Sequence, residues 1–102
     1  MKIALAQINT TVGDFEGTVR KVARQIQKAK RLGAELIAFP EMTTTGYPPR
    51  DLVENPSFIE ANLKALQSIA RLSQGIGVVV GYLDRNKKEG GKGLLNFCAL
   101  FE

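Results

Sequence analysis

Glu41 is the residue of this chain best placed to do chemistry. It follows the apolar run 36–39, which predicts a short buried strand, and Pro40, which cannot donate to a sheet ladder and should end that strand. In layered α/β proteins, ligands bind in the crevice outside the carboxyl ends of the strands. A carboxylate there, flanked by apolar neighbours and partly shielded from water, is suited to take and return a proton near neutral pH. An exposed glutamate at the start of a loop is the alternative interpretation.

Few other residues could carry chemistry. The chain has no histidine and one cysteine, which argues against a metal site of the zinc type and against an internal disulfide, and fits a reducing compartment such as the cytoplasm. Cys98 stands inside the apolar run 97–100, where a small buried thiol with a structural role is expected. No basic residue or helix N-terminus lies near it in sequence to activate it. We therefore do not predict Cys98 as a nucleophile.

The first elements form a strand–helix–strand unit that ends at Glu41. Residues 1–8 predict a buried strand, and Asp14 is suited to cap the helix that follows. Gly33 is placed to end this helix before the strand 35–39. Such a unit normally makes two parallel strands joined by a right-handed crossover. The apolar stripe of the helix consists of Phe15, Val19, Val22, Ile26 and Ala29.

The second half predicts one more main helix and a hairpin. The pair Pro48-Pro49 indicates extended backbone, and residues 50–54 a single helical turn. The helix begins either at an Asn55 cap followed by Pro56, or at a capping box of Ser57 and Glu60. A nearly all-apolar strand at 76–83, a glycine-rich turn at 84–93 and an antiparallel strand at 94–101 complete the chain. The predicted stripe of the helix consists of Ile59, Leu63, Leu66, Ile69 and Ala70.

Length and composition indicate one small globular domain. The 102 residues are 44% hydrophobic and 24% charged, which is ordinary for such a domain. The net charge of +4 is modest, and the basic residues of the first half cluster on one helix, 20–31, without interleaved aromatic residues, so we expect no nucleic-acid partner. No apolar run approaches the roughly 20 residues that span a membrane, and the N-terminal run is too short for a signal peptide.

Several segments together resemble the N-terminal part of a nitrilase-superfamily (carbon–nitrogen hydrolase) domain. They are Ala-Leu-Ala-Gln at 4–7, the run 33–41 ending in Phe-Pro-Glu, Thr-Gly-Tyr at 45–47 and Val-Val-Gly at 79–81. The stretch Gly-Tyr-Pro-Pro-Arg-Asp-Leu at 46–52 is similar to the glutamine-hydrolysing domain of glutamine-dependent NAD synthetases. The resemblance implies an α/β fold, namely the N-terminal portion of an α-β-β-α sandwich with two main helices and about four strands.

The resemblance also implies a glutamate, a lysine and a cysteine that together hydrolyse an amide. Glu41 matches the glutamate that acts as general base and acid, and Tyr47 matches a position that lines the substrate pocket. The lysine and the cysteine find no match. Lys87, Lys88 and Lys92 stand in the glycine-rich turn and are expected to be solvated. We therefore expect residues 1–102 to be a partial domain: an expression fragment, a proteolytic remnant or a prematurely ended reading frame.

The expected function is that of the parent protein. It would hydrolyse the glutamine side-chain amide and supply ammonia for the ATP-dependent amidation of deamido-NAD, whereas the 102 residues alone would be inactive and would bind no cofactor. ATP and Mg²⁺ are expected on a synthetase domain outside this chain. A sheet left partly uncovered should associate with another copy. The alternatives are a piece of a stand-alone nitrilase-type amidase, a non-catalytic interaction module and, weakest, a nucleic-acid binder.

Overall fold

The computed structural model describes residues 1–85 and 93–102, which form one four-stranded mixed sheet with two helices packed on one face. The strands lie in chain order, with β1–β2 and β2–β3 parallel and β3–β4 antiparallel. This confirms the predicted α/β architecture and both predicted connections. The elements are β1 (Ile3–Leu5), α1 (Phe15–Arg31), β2 (Leu36–Ala38), a 3₁₀ turn (Arg50–Glu54), α2 (Pro56–Ala70), β3 (Gly77–Arg85) and β4 (Leu94–Phe101).

Helix α1 begins and ends where the sequence predicts. The Asp14 carboxylate accepts a hydrogen bond from the backbone N–H of Gly17 at 3.0 Å, which satisfies one of the donors exposed at a helix start. Gly33 follows the last turn with a φ of 79°, in the left-handed region that glycine adopts without steric cost. These two ends fix the length of the crossover between β1 and β2.

Helix α2 uses the first of its two predicted starts. The Asn55 side chain accepts from the backbone N–H of Ser57 at 2.8 Å, and Pro56 occupies the first helical position. The prediction of extended backbone through both prolines is wrong at Pro49, which has φ −76° and ψ −17° and leads into the 3₁₀ turn. The reason is that a proline ring restricts the residue before it, so Pro49 constrains Pro48 but is itself free to be helical.

The main core lies between the helices and one face of the sheet. Its fully buried side chains include Ile37 on β2 and Val78 and Val80 on β3. The helices contribute Val22, Ile26, Ala29 and Ile69, all of which the predicted stripes contain. A smaller second cluster closes the end of the molecule near Glu41 and contains Phe58, Ile59 and Leu83.

The opposite face of the sheet is apolar and uncovered by any described element. Leu5 is 79% exposed and Leu100 is 56% exposed. The strand register places Leu5, Ala38, Val79 and Leu100 in one row across all four strands. We call this row, together with Ile3 and Leu36, the open face.

The predicted turn at 84–93 falls mostly outside the described residues, and so do Lys87, Lys88 and Lys92. In the part that is described, the hairpin pairs Arg85 with Leu94, and β4 has the bounds expected from the sequence. None of the described helices is long and apolar enough to span a bilayer.

Candidate active site

Glu41 and Tyr47, six positions apart in the chain, line one cleft. The cleft has a volume of about 140 Å³ and lies beyond the carboxyl ends of β1 and β2. This is where a ligand site was expected in a parallel α/β arrangement. The structure therefore brings the two predicted site residues together. The other residues of the lining are Ile8, Asn9, Thr10, Pro40 and Thr43.

The Glu41 side chain is exposed, so the expected shielding from water is wrong. β2 ends at Ala38, two residues before Pro40, and the turn that begins at Glu41 leaves its side chain exposed. Within the described part of the chain, its hydrogen-bond partner is Asn96 on β4, whose side-chain N–H donates to Oε1. The carboxylate is thus accessible to a ligand and held at one oxygen.

The loop after Glu41 is buried and polar. Thr43, Thr44 and Thr45 are each no more than 2% exposed. The Thr43 hydroxyl donates to the carbonyl of Pro40, and the Thr45 hydroxyl donates to the carbonyl of Gly46 at 2.9 Å. Short polar side chains that bond to nearby backbone stabilise tight turns.

Strained backbone is present directly beside Glu41. Met42 has a φ of 54°, in the left-handed region that residues with a side chain seldom adopt. The N–H of Gly46 donates to the Met42 carbonyl at 3.0 Å and closes the turn. Such a conformation persists only when the surroundings determine it, so the direction in which the chain leaves Glu41 is tightly set.

Asn62 of α2 ties this loop to β3. Its Oδ1 accepts from the Thr44 hydroxyl at 2.5 Å and from the Leu83 N–H at 3.2 Å. Its Nδ2 donates to the carbonyls of Leu83 at 2.6 Å and Ile59 at 3.1 Å. All four hydrogen-bonding positions of a fully buried amide are therefore filled. The Leu83 backbone receives from Asn62 the pair of bonds that a neighbouring strand would otherwise supply.

The backbone hydrogen-bonding groups on this edge of β3 therefore have partners even beyond the end of β2. The Val79 carbonyl accepts from the Phe39 N–H at 2.8 Å, and the Gly81 carbonyl accepts from the Thr44 N–H at 3.3 Å. The next residue on this edge, Leu83, bonds to the Asn62 side chain through both its N–H and its carbonyl. The hydrogen-bonding edge of β3 is thus paired first with Phe39, then with Thr44 of the loop and then with the Asn62 side chain. Buried backbone groups must find such partners.

Gly81 lets the Glu41 turn lie directly on β3. A Cβ at this position would stand 2.7 Å from the Met42 nitrogen and 3.1 Å from the Glu41 Cα. Both are backbone atoms, which cannot move aside as the end of a side chain can. Glycine is therefore required at this point for the close approach of the two chain segments.

Cys98 is exposed, so the prediction of a buried thiol is wrong. Ala99 and Phe101 pack against the main core, and side chains alternate along a strand, so Cys98 points to the opposite side. The apolar run 97–100 hid this alternation. Cys98 pairs with Gly81 across the hairpin, close to the Glu41 turn. That it is not the nucleophile stays a prediction.

Sequence reasoning missed Asn62 and Asn96. Both carried a readable signal. Asn62 stands three residues after Ile59 and four before Leu66, on the apolar stripe of α2, where an unpartnered amide would be costly. Asn96 interrupts the apolar strand Leu94–Phe101. A polar side chain on an otherwise apolar face indicates a specific partner, although the sequence does not say which.

The family model described as "Carbon-nitrogen hydrolase" matches residues 2–102, which is nearly the whole chain. The chain belongs to this family.

Within the carbon–nitrogen hydrolase family, the chain is similar to glutamine-dependent NAD(+) synthetases. It is 39% identical over 89 residues to the protein of Thermotoga maritima, covering 85% of this chain and 16% of that relative. It is 36% identical over 104 residues to the protein of Synechocystis sp., covering 98% of this chain and 19% of that relative. The chain thus spans less than one fifth of the length of these relatives.

Solved structures show the same relation. The glutamine-dependent NAD(+) synthetase from Cytophaga hutchinsonii superimposes with a TM-score of 0.88 at 28% identity, over 98% of this chain and 17% of that chain. An amidase from Nesterenkonia sp. superimposes with a TM-score of 0.75 at 25% identity, over 98% of this chain and 37% of that chain. The described fold is therefore that of the corresponding part of a nitrilase-like domain.

Proposed function

We propose that this chain is the N-terminal part of a glutaminase domain in a glutamine-dependent NAD synthetase, and that Glu41 transfers protons during amide hydrolysis. The observation that carries the proposal is the cleft that Glu41 shares with Tyr47 at the carboxyl ends of two parallel strands. Similarity to NAD synthetases over most of this chain supports the choice of glutamine as the amide.

Glu41 has the access and the freedom that a general base and acid needs. Its carboxylate is exposed at the cleft, and Asn96 donates to Oε1, whereas no hydrogen bond from residues 1–85 or 93–102 reaches Oε2, the oxygen proposed to exchange the proton. In the proposed reaction it takes the proton from a thiol as the sulfur attacks the amide carbon, and gives that proton to the departing ammonia. Water then hydrolyses the thioester, and a nearby cation stabilises the oxyanion.

The proposal assigns the nucleophile and the cation to residues outside this chain. We therefore expect the 102 residues alone to release no glutamate from glutamine.

Tyr47 is proposed to line the pocket, where its ring supplies an apolar wall beside the reacting amide. Its side chain is 70% exposed in this structure, so a bound substrate has room to cover it.

The remaining parts of the proposal concern the complete protein. The ammonia would amidate deamido-NAD after its activation by ATP, with ATP and Mg²⁺ bound in a synthetase domain beyond these residues. A cytoplasmic location fits the single cysteine of the chain.

The test uses the full-length protein encoded by the reading frame that contains this sequence. With ATP and deamido-NAD, it should form NAD from either glutamine or free ammonia. Glu41→Gln should abolish the glutamine-dependent reaction and leave the ammonia-dependent one intact. Formation of NAD from glutamine by the Glu41→Gln protein at the wild-type rate would contradict the proposal.

A stand-alone nitrilase-type amidase is the second candidate, favoured by the superposition on the Nesterenkonia amidase. The reading frame distinguishes the two. An NAD synthetase continues into an ATP-binding domain with a Ser-Gly-Gly-x-Asp-Ser type of phosphate loop, whereas an amidase of this kind does not. A full-length protein that hydrolyses simple amides and forms no NAD would favour the amidase.

A further inference from the structure

We propose that Asn96 is a positioning residue for Glu41, which fixes the carboxylate so that one oxygen faces the substrate. The inference rests on the proposed function of Glu41 as the proton-transfer group. It begins from the contact in which the Asn96 side-chain amide donates to Glu41 Oε1. The two residues are 55 positions apart, and they meet because β4 pairs with β3 beside the Glu41 turn.

The donor sense of this contact is fixed by chemistry. An ionised carboxylate only accepts hydrogen bonds, so the amide must present its N–H₂ group and not its oxygen. A donor on Oε1 limits rotation of the carboxylate about its last side-chain bond. Oε2 then keeps one direction, which is the arrangement that a group passing one proton between a thiol and a leaving ammonia requires.

The backbone at Asn96 is held in place by its neighbours. Asn96 pairs directly with Leu83 across the hairpin. The Leu83 backbone N–H and carbonyl are both bonded to the buried amide of Asn62, which also holds Thr44 in the loop that follows Glu41. One buried side chain therefore fixes both the strand beside Asn96 and the loop beyond Glu41. The position of the Asn96 amide relative to the Glu41 carboxylate is therefore fixed by the strand on one side and by the loop on the other.

Asn96 is itself exposed, so it contributes little to the core. Its replacement should leave the fold intact, which allows its effect on chemistry to be measured separately. Three replacements at this position make distinct predictions. Asn96→Ala removes the donor, Asn96→Gln keeps a donor on a longer side chain, and Asn96→Asp places a carboxylate against the Glu41 carboxylate.

The first experiment measures glutamine hydrolysis by the full-length protein. Asn96→Ala should lower kcat about tenfold with KM within about twofold, since orientation and not ground-state binding is lost. Asn96→Asp should lower kcat further, about a hundredfold, and Asn96→Gln should recover part of the rate. Gln74→Glu, an exposed amide-to-carboxylate change at the opposite end of β3, is the matched control and should retain the wild-type rate. Equal rates for Asn96→Asp and Gln74→Glu would overturn the proposal.

The second experiment does not depend on activity. Asn96→Asp should lower the melting temperature when Glu41 is present and should not lower it in the Glu41→Gln background, because the like-charge contact is then gone. The same loss in both backgrounds would overturn the contact itself. A wild-type full-length protein that hydrolyses no glutamine would instead overturn the proposed function, and this thermal cycle would still report whether Asn96 holds Glu41.

Discussion

The segment 40–47 contains two kinds of position that differ in burial and in what they contact. Its interior residues, Thr43, Thr44 and Thr45, are buried and bonded to the protein. Its ends, Glu41 and Tyr47, are exposed and line the same cleft. The interior thus determines the shape of the loop, and the ends remain free to meet a ligand. Changes to the interior and its supports should reduce stability, whereas changes at the ends should reduce activity alone.

Asn62→Ala should give the largest loss of stability. It leaves the Leu83 N–H and carbonyl and the Thr44 hydroxyl buried without partners. We expect a loss of about 2–5 kcal/mol in the free energy of unfolding, from the cost of buried unsatisfied groups. Denaturant unfolding of the full-length protein measures it, with Gln67→Ala, an exposed amide on the same helix, as control. Equal losses for the two variants would show that Asn62 does not stabilise the loop and β3.

Gly81→Ala should have the next largest effect. The added Cβ meets the backbone of Glu41 and Met42, so the turn must shift away from β3 at a cost of about 1–3 kcal/mol. Gly77→Ala is the matched control on the same strand, because the atom that its Cβ approaches too closely is the Leu36 Cδ1, at 2.7 Å, which can rotate away, and the nearby backbone oxygens of Glu35 and Phe101 lie at ordinary contact distances of 3.6 and 3.8 Å. Gly81→Ala should also slow glutamine hydrolysis, while Gly77→Ala should not. Similar melting temperatures for both variants would contradict the close packing of the Glu41 turn.

The open face is another part of the molecule that is accessible and not buried in the core. We propose that the 102-residue chain associates through this face, and that Leu5→Glu or Leu100→Glu shifts it towards monomer, as sedimentation velocity would show. Leu32→Glu, at a leucine just after α1 whose exposure of 60% lies between those of Leu5 and Leu100, is the control. The free energy of unfolding of each monomer should change by only about 0.5 kcal/mol. A wild-type chain that stays monomeric at high concentration would argue against this use of the face.

Tyr47→Ala should have the smallest effect. Because Tyr47 is exposed and lines the cleft, its loss should raise KM for glutamine about threefold, a loss of under 1 kcal/mol of binding, without changing the melting temperature. Tyr47→Phe keeps the ring and should behave as wild type. A destabilised Tyr47→Ala protein would show that the ring is instead a packing lid.

The sequence predicted the elements and the place of the site better than it predicted the contacts there. The Asp14 cap follows from local chemistry and is confirmed, and the structure selects the Asn55 cap from the two starts that the sequence allowed for α2. The exposure of Cys98 follows from which face of β4 meets the core, whereas the partner of Glu41 depends on strand pairing across the hairpin. Such pairing joins residues far apart in the chain, so no local pattern could show it.

We expect Glu41 to serve chemistry and not the fold, which activity and stability measurements on the Glu41→Gln variant of the full-length protein can distinguish. We predict that its rate of glutamate release from glutamine is about 10²–10⁴-fold below that of the wild type, because a general base and acid is lost. The melting temperature of the same preparation should match that of the wild type. A variant that keeps the wild-type rate, or that loses activity only because it unfolds, would contradict the account.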